Sequence, residues 1–103
     1  MKIYIAGKIS GDKNYKRKFK KVEKKLKRKN HSVMNPAWIV SFPEFDRKNY
    51  MAVSKVMQKQ CSATLFLSDW EDSKGARIEY ENAKKLGQSI FFNIKDVQKV
   101  SKK

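Results

Sequence analysis

Short apolar runs alternate with longer amphipathic segments along this chain. Apolar runs at residues 2–6, 31–34, 63–67 and 89–92 predict four strands. The segments between them, residues 14–30, 49–60 and 74–86, predict three helices. The apolar stripes expected to face inward are Tyr15, Phe19, Val22 and Leu26 in the first helix, Met51, Val53, Val56, Met57 and Cys61 along the second, and Ala76, Tyr80 and Ala83 in the third.

Strands that alternate with helices predict an α/β fold with right-handed crossovers. We expect a flavodoxin-like (Rossmann-like) parallel sheet of about four strands in the order 2-1-3-4, with helices on both faces. Residues 1–103 are expected to form a single domain, with residues 94–103 as a frayed helical tail held by Val97 and Val100. In this order the topological switch point lies between strands 1 and 3, so the loops 7–13 and 68–74 should meet at one crevice.

The net charge of the chain indicates which classes of ligand it could attract. The chain carries 25 Lys and Arg against 10 Asp and Glu, a net charge of +15. Such a charge favours nucleic acid, acidic lipid or phosphorylated small molecules, although a solvated lysine-rich face is the simpler explanation. With no apolar run long enough for a membrane span and no signal-peptide pattern, we expect a cytoplasmic protein without a membrane partner.

The cysteine and histidine content argues against disulfide and metal chemistry. Cys61 is the one cysteine, so no internal disulfide can form, and we expect a packed thiol. His31 is the one histidine, stands outside any Cys or His cluster, and is assigned no role. Neither a metal nor another cofactor is expected.

Residues 73–79, with the sequence Ser-Lys-Gly-Ala-Arg-Ile-Glu, follow a strand and open a helix. Amides at a helix start hold anions, and their partial positive charge favours an ionised carboxylate nearby. Glu79 is therefore a candidate nucleophile at the carboxyl end of a parallel strand. The alternative is a surface glutamate that only interacts with the helix dipole.

An aromatic loop at residues 37–46 follows the second strand. It contains Trp38, Phe42, Pro43 and Phe45. Long loops of this kind often cover a ligand, and simple packing over the core is the alternative.

Three segments together carry a family resemblance: residues 4–11 (Tyr-Ile-Ala-Gly-Lys-Ile-Ser-Gly), residues 35–37 (Asn-Pro-Ala), and residues 70–79 continuing to 83–87. The chain resembles a small bacterial and phage family that looks like a branch of the nucleoside 2-deoxyribosyltransferase and 2′-deoxynucleoside 5′-phosphate N-hydrolase superfamily. The resemblance covers roughly residues 2–92. It implies a nucleoside or nucleotide ligand, N-glycosidic bond chemistry, and a homo-oligomer.

The resemblance also implies roles for individual residues. Glu79 matches the nucleophile and Tyr4 an aromatic hydroxyl beside it, so these two are the catalytic candidates. Ser73 matches a phosphate-binding serine. The full set of substrate-binding candidates, to which Asn35, Asp69 and Trp70 are added by their expected place near the crevice, is Gly7, Lys8, Ser10, Gly11, Asn35, Asp69, Trp70, Ser73 and Gly75.

The chain departs from the family pattern at three positions. Lys8 stands where relatives usually have Pro, and Ser54 and Ser62 stand where they tend to have Asp. Three hypotheses follow: an enzyme that cleaves or transfers N-glycosidic bonds of nucleoside 5′-monophosphates, a non-catalytic nucleotide-binding or sequestering protein, and a basic protein that binds nucleic acid through the lysine-rich first helix.

Overall fold

A computed structural model describes residues 1–39 and 44–101. Its strands are β1 (Lys2–Ala6), β2 (Ser32–Met34), β3 (Ala63–Phe66) and β4 (Ser89–Phe91). They form one parallel sheet in the order β2-β1-β3-β4. The predicted flavodoxin-like α/β fold and its strand order are therefore confirmed.

Three α-helices follow the strands as predicted: α1 (Tyr15–Arg28), α2 (Arg47–Lys59) and α3 (Lys74–Leu86). Short 3-10 helices lie at Pro36–Ile39, Trp70–Asp72 and Ile94–Asp96. Among residues 1–39 and 44–101, no helix combines the length and apolar character that crossing a bilayer requires.

The alternation of side chains along β1 divides the core into two halves. Ile3 and Ile5 pack with Phe19 and Leu26 of α1 on one face. Tyr4 and Ala6 point to the opposite face, which α2 and α3 cover; the buried residues there also include Phe66 and Ala83. This period of two places the Tyr4 hydroxyl beside α3.

The start of α2 lies two residues before its predicted position. The Asp46 carboxylate accepts from the Asn49 backbone N–H at 3.1 Å, and the Asn49 side chain accepts from the Asp46 N–H at 3.0 Å. This reciprocal capping box satisfies amide groups that the helix cannot pair internally, and it fixes Arg47 as the first helical residue.

The inner face of α2 also differs from the prediction. Val53 and Val56 were expected inside, and that is wrong: they are 47% and 60% exposed. Ser54 and Gln58 are buried instead. The Gln58 amide donates to the Glu79 backbone carbonyl at 2.8 Å, so α2 turns a polar stripe toward α3.

The chain after β4 lies against the end of α1. Only the single turn Ile94–Asp96 is helical, so the longer tail helix we expected is not seen through residue 101. Val97 is fully buried, whereas Val100 is 43% exposed. The Lys29 ammonium donates to the carbonyls of Ile94 and Val97 at 2.8 and 2.6 Å.

His31, to which the sequence assigned no role, holds both ends of the described chain. Its Nδ1 lies 2.9 Å from the Met1 amino group and its Nε2 lies 2.7 Å from the Gln98 carbonyl. Since the ammonium can only donate, Nδ1 accepts and Nε2–H donates. Cys61 is half-buried, with Sγ 3.5 Å from the Met57 carbonyl, and burial raises its pKa to about 11.

Candidate functional site

The carboxyl ends of β1 and β3 bring the two glycine-bearing loops together. Because the strands are parallel neighbours, both loops leave at the same edge of the sheet. The Leu67 N–H donates to the Ala6 carbonyl at 2.8 Å, and the Lys8 N–H donates to the Asp69 carboxylate at 3.0 Å. A Cβ on Gly7 would lie 2.9 Å from the Leu67 side chain, so this close approach needs glycine.

A cleft of about 230 Å³ opens between these loops and α2. Its walls come from the loop after β1, from one face of α2, and from the start of α3. Three basic residues line it, namely Lys8, Arg47 and Lys74. Their charge favours an anionic ligand.

The floor of the cleft holds a buried carboxyl group bonded to a buried hydroxyl. Glu79 is 5% exposed and Tyr4 is fully buried. The Tyr4 hydroxyl donates to Oε2 of Glu79. Glu79 therefore belongs to the cleft and is not the solvent-exposed glutamate of the alternative interpretation.

The ionisation of Glu79 differs from the expectation that the α3 amides keep it charged. Burial raises its pKa to about 7, and the hydrogen bond from Tyr4 lowers it only in part. Both protonation states are therefore well populated near neutral pH. Burial also raises the pKa of Tyr4 well above its ordinary value, and the Glu79 charge adds to that rise, so the phenol keeps its proton.

Ser54 lies in the same floor. It is 5% exposed, lines the cleft, and its interaction with the Tyr4 hydroxyl lowers the Tyr4 pKa. The carboxyl groups among the described cleft residues are those of Glu79 and Asp72. The position where the resemblance implies an acid thus carries a neutral hydroxyl.

The first turn of α3 forms part of the cleft wall. Ser73 caps the helix: its Oγ accepts from the Ala76 N–H at 3.1 Å. Because Oγ accepts there, the hydroxyl hydrogen of Ser73 can still be donated to a ligand. Lys74 and Gly75 also line the cleft at this positive end of the helix dipole.

A cation on α1 fixes the first loop from behind. The Lys18 ammonium donates to the Lys8 carbonyl at 2.9 Å and to the Asp12 carboxylate at 2.5 Å. It also donates to Asp69, which in turn accepts from the Lys8 N–H. The backbone N–H and the backbone carbonyl of Lys8 are therefore both hydrogen-bonded, and these bonds fix the backbone between Gly7 and Ile9.

The predicted site residues divide into two groups. Those in the cleft are Gly7, Lys8, Ser10, Ser73, Gly75 and Glu79, with Tyr4 below them. The residues of the second group, Gly11, Asn35, Asp69 and Trp70, do not line the cleft. Gly11 has a left-handed backbone conformation, with a φ of 82°. The Asn35 side chain donates to Glu23 at 2.9 Å, Asp69 binds Lys8 and Lys18, and Trp70 packs 5.0 Å from the Tyr80 ring centre.

Sequence reasoning placed Met51 on the inner face of the second helix and Ser54 at a position where relatives tend to have Asp, but it missed Arg47 and Tyr50. Arg47, Tyr50, Met51 and Ser54 all line the cleft, at positions i, i+3, i+4 and i+7 of one helix face. The Asp46-x-x-Asn49 pattern was the available signal, because it places the helix start at Arg47. The predicted apolar stripe included Met51, which lines the cleft, together with Val53 and Val56, which are exposed.

Part of the aromatic loop can be located. Trp38 and Phe45 are 50% and 54% exposed, while Phe42 and Pro43 lie outside the described residues. Within the part of the chain that the structure describes, no group of three or more His, Cys, Asp or Glu side chains is arranged to hold a metal ion.

Comparison with known proteins agrees with this architecture. Residues 1–92 match the family model described as a domain of unknown function, DUF4406. No curated protein matches the chain in sequence. A solved structure of the 2-deoxyribosyltransferase from the psychrotolerant bacterium Bacillus psychrosaccharolyticus, described as a biocatalyst for nucleoside synthesis, superposes with a TM-score of 0.68. At 17% identity it covers 92% of this chain and 79% of its own, and the resemblance to that superfamily is confirmed as one of fold.

Proposed function

This chain belongs to the DUF4406 family and has the fold of a nucleoside deoxyribosyltransferase, and from that premise we propose a nucleotide-processing enzyme. It cleaves or transfers the N-glycosidic bond of (deoxy)nucleoside 5′-monophosphates. The observation that carries the proposal is the Glu79 carboxyl group, buried at the floor of a basic cleft and held by the Tyr4 hydroxyl.

The reaction proceeds in two displacements at C1′ of the sugar. The Glu79 carboxylate forms a bond to C1′ while the electrons of the C1′–N bond pass to the base, which takes up a proton. Water then attacks C1′, gives a proton to solvent and breaks the C1′–O bond to Glu79, which restores the carboxylate and completes hydrolysis. A second base that loses its N–H proton in the same way completes transfer. The Tyr4 hydroxyl orients the carboxylate through its hydrogen bond.

The departing base needs a proton donor. Ser54 is neutral and Asp72, the other carboxyl group among the described cleft residues, is exposed, so we assign the proton to solvent water. A buried acid at the Ser54 position would contribute about 10²–10⁴-fold in rate. Asp72→Asn should therefore change kcat little and leave the Glu79–Tyr4 pair intact.

The phosphate group binds at the start of α3. The amides of Lys74 and Gly75, the Ser73 hydroxyl and the cations Lys8 and Arg47 supply donors and charge. Tyr50, Met51 and Ile9 provide the less polar wall for sugar and base. A nucleoside monophosphate has both an anionic phosphate for the first region and a less polar sugar and base for the second.

The test is release of free base from each deoxy- and ribonucleoside 5′-monophosphate, followed by chromatography. We expect turnover by the wild type and loss of more than about 10³-fold in Glu79→Gln, because the amide cannot attack C1′. Glu81→Gln is the matched control: it removes an exposed carboxylate two residues away that pairs with Lys84 at 3.2 Å. Equal inactivity of wild type and Glu79→Gln on every substrate would refute the enzyme.

A second candidate is a nucleotide-binding protein without turnover. It is favoured by Ser54, which occupies the position where the resemblance implies an acid. Calorimetry separates the two: saturable binding of a monophosphate with no base released over many hours supports binding alone. Steady release of base excludes it.

The proposal includes a homo-oligomer, in the cytoplasm of a bacterium or phage-infected cell. Its support is the exposed apolar surface of α2 and α3, where Val53, Val56 and Ile78 are 44–60% exposed. Light scattering after size exclusion should give a multiple of 12.1 kDa. Val56→Lys should then lower the measured mass.

A further inference from the structure

A second groove lies on the α1 side of the molecule. It has a volume of about 330 Å³ and is lined by Lys16, Lys20, Glu23, Asn35, Ala37 and Trp38. It shares no lining residue with the Glu79 cleft. The groove is therefore a site separate from the proposed catalytic cleft.

Trp38 presents a half-exposed aromatic face whose orientation is fixed. The side chain is 50% exposed, and its Nε1–H donates to Glu23 Oε1 at 3.0 Å. The same Glu23 accepts from the Asn35 amide at 2.9 Å and from the Lys27 ammonium at 2.7 Å. The ring is held before any ligand arrives, so less ordering entropy is lost on binding.

The charge of this groove is basic. Lys16, Lys20, Glu23 and Lys27 follow one another along one stripe of α1, and the lysines are exposed. The Glu23 carboxylate pairs with Lys27, which leaves Lys16 and Lys20 as the lysines beside Trp38 in the groove wall. Four residues of helix, a rise of about 6 Å, separate the Cα atoms of these two lysines along the axis.

The geometry points to single-stranded nucleic acid as the occupant: we propose that a base stacks on Trp38 while the flanking phosphates pair with Lys16 and Lys20. An aromatic platform beside a basic track is how proteins bind unpaired strands. A duplex hides the faces of its bases, so it cannot use the ring. An acidic bilayer would need apolar residues of α1, but Phe19 and Leu26 are fully buried in the core.

The presence of lysine rather than arginine in the groove indicates how specific the binding of a strand should be. Lysine is a flexible point charge, whereas arginine forms the rigid bidentate contacts that read base edges. Binding should therefore tolerate different sequences and weaken steeply as salt rises. DNA and RNA strands share this chemistry, and both belong in the test.

The experiment measures fluorescence anisotropy of labelled dT and rU oligonucleotides at several salt concentrations. We expect Trp38→Ala to raise Kd about ten-fold or more, and Trp38→Phe to retain most of the affinity, because phenylalanine also stacks. Wild-type tryptophan fluorescence should be quenched on binding, and that quenching should disappear in Trp38→Phe. Circular dichroism melts verify that each variant folds.

A charge-matched pair separates the groove from general attraction. Lys16→Gln/Lys20→Gln and Lys21→Gln/Lys25→Gln remove the same two charges from α1, but only the first pair includes groove residues. We expect the first pair to weaken strand binding at least five-fold more than the second. Glu79→Gln should bind the oligonucleotides as tightly as the wild type does. A failure of strand binding can therefore be told apart from a failure of the proposed enzymatic activity.

Four outcomes would overturn the proposal. The two double variants could weaken binding equally, which would mean that only net charge attracts the strand. Duplex DNA could bind as tightly as the single strand, or Trp38→Ala could bind as tightly as the wild type. Binding of acidic vesicles in preference to oligonucleotides would likewise reject it.

Discussion

The Tyr4 hydroxyl on β1 donates a hydrogen bond to Glu79 Oε2 on α3, across 75 positions of the sequence. Both side chains are buried, so each changes the ionisation of the other: the bond lowers the pKa of Glu79, and the Glu79 charge raises that of Tyr4. The pair joins the central strand to the helix that begins at the cleft. Stability and reactivity should therefore both depend on it.

Glu79→Gln should stabilise the protein at alkaline pH. Folding raises the Glu79 pKa from its ordinary 4.5 to about 7, so the folded state holds the proton more tightly than the unfolded state. The stability this gives is complete below pH 4.5 and is lost as pH rises through 7. The pKa difference corresponds to about 3 kcal/mol. Melting temperatures from pH 4.5 to 8.5 measure the widening gap between variant and wild type.

The control for that stability series is Glu81→Gln, since Glu81 is exposed and forms only an i,i+3 pair with Lys84. Its melting temperature should follow the wild type at each pH. A gap between Glu79→Gln and wild type that stays constant across the pH range would show that Glu79 does not titrate as its burial indicates.

Tyr4→Phe should move the pH profile of base release to higher pH. The nucleophile is the ionised carboxylate, so kcat/KM in the wild type should rise with pH through about 7. Removing the hydroxyl removes the interaction that lowers the Glu79 pKa, and the midpoint should rise. Carbon NMR of labelled Glu79 gives the same midpoint without turnover. An unchanged midpoint would mean that the hydrogen bond does not influence ionisation.

Lys18→Gln should weaken substrate binding more than it slows the chemical step. Lys18 touches the Lys8 carbonyl, Asp12 and Asp69, but it does not line the cleft. A hydrogen bond to a charged group contributes about 1.5–3 kcal/mol, and the partial exposure of this one reduces its effect to about 1 kcal/mol. We expect KM to rise about five-fold with kcat nearly constant. Lys21→Gln removes an exposed α1 charge as the control, and an equal rise there would assign the effect to net charge.

Gly7→Ala and Gly75→Ala should differ in stability. A Cβ at Gly7 would lie 3.0 Å from the Leu67 Cβ, so backbone must move, and we expect a loss of about 1–3 kcal/mol. A Cβ at Gly75 would lie 3.1 Å from the flexible Met51 Sδ, and alanine favours the helix, so stability should change by less than about 0.5 kcal/mol. Urea unfolding measures both. A larger loss at Gly75 would show that Met51 cannot move aside.

Local pattern predicted much of the fold because periodicity is set by the backbone itself. The run at residues 2–6 and the segment at residues 74–86 form β1 and α3 with the predicted bounds. The right-handed crossover rule limited the strand orders, and the flavodoxin-like order 2-1-3-4, which brings the two loops together, is the one observed. The same logic failed for Val53 and Val56, because spacing shows that a helix has an apolar stripe but does not show which neighbour it meets.

By itself the sequence determined the elements, their order and the place of Glu79 just inside a helix at the carboxyl edge of the sheet. Tertiary structure alone decided that Glu79 is buried, that Tyr4 bonds to it, that Arg47 and Met51 line the cleft, and that Trp38 is held by Glu23. Elements follow from interactions between near neighbours in the chain. Burial, pKa and side-chain pairing depend on contacts between segments that are distant in the sequence, and those contacts exist only in the folded structure.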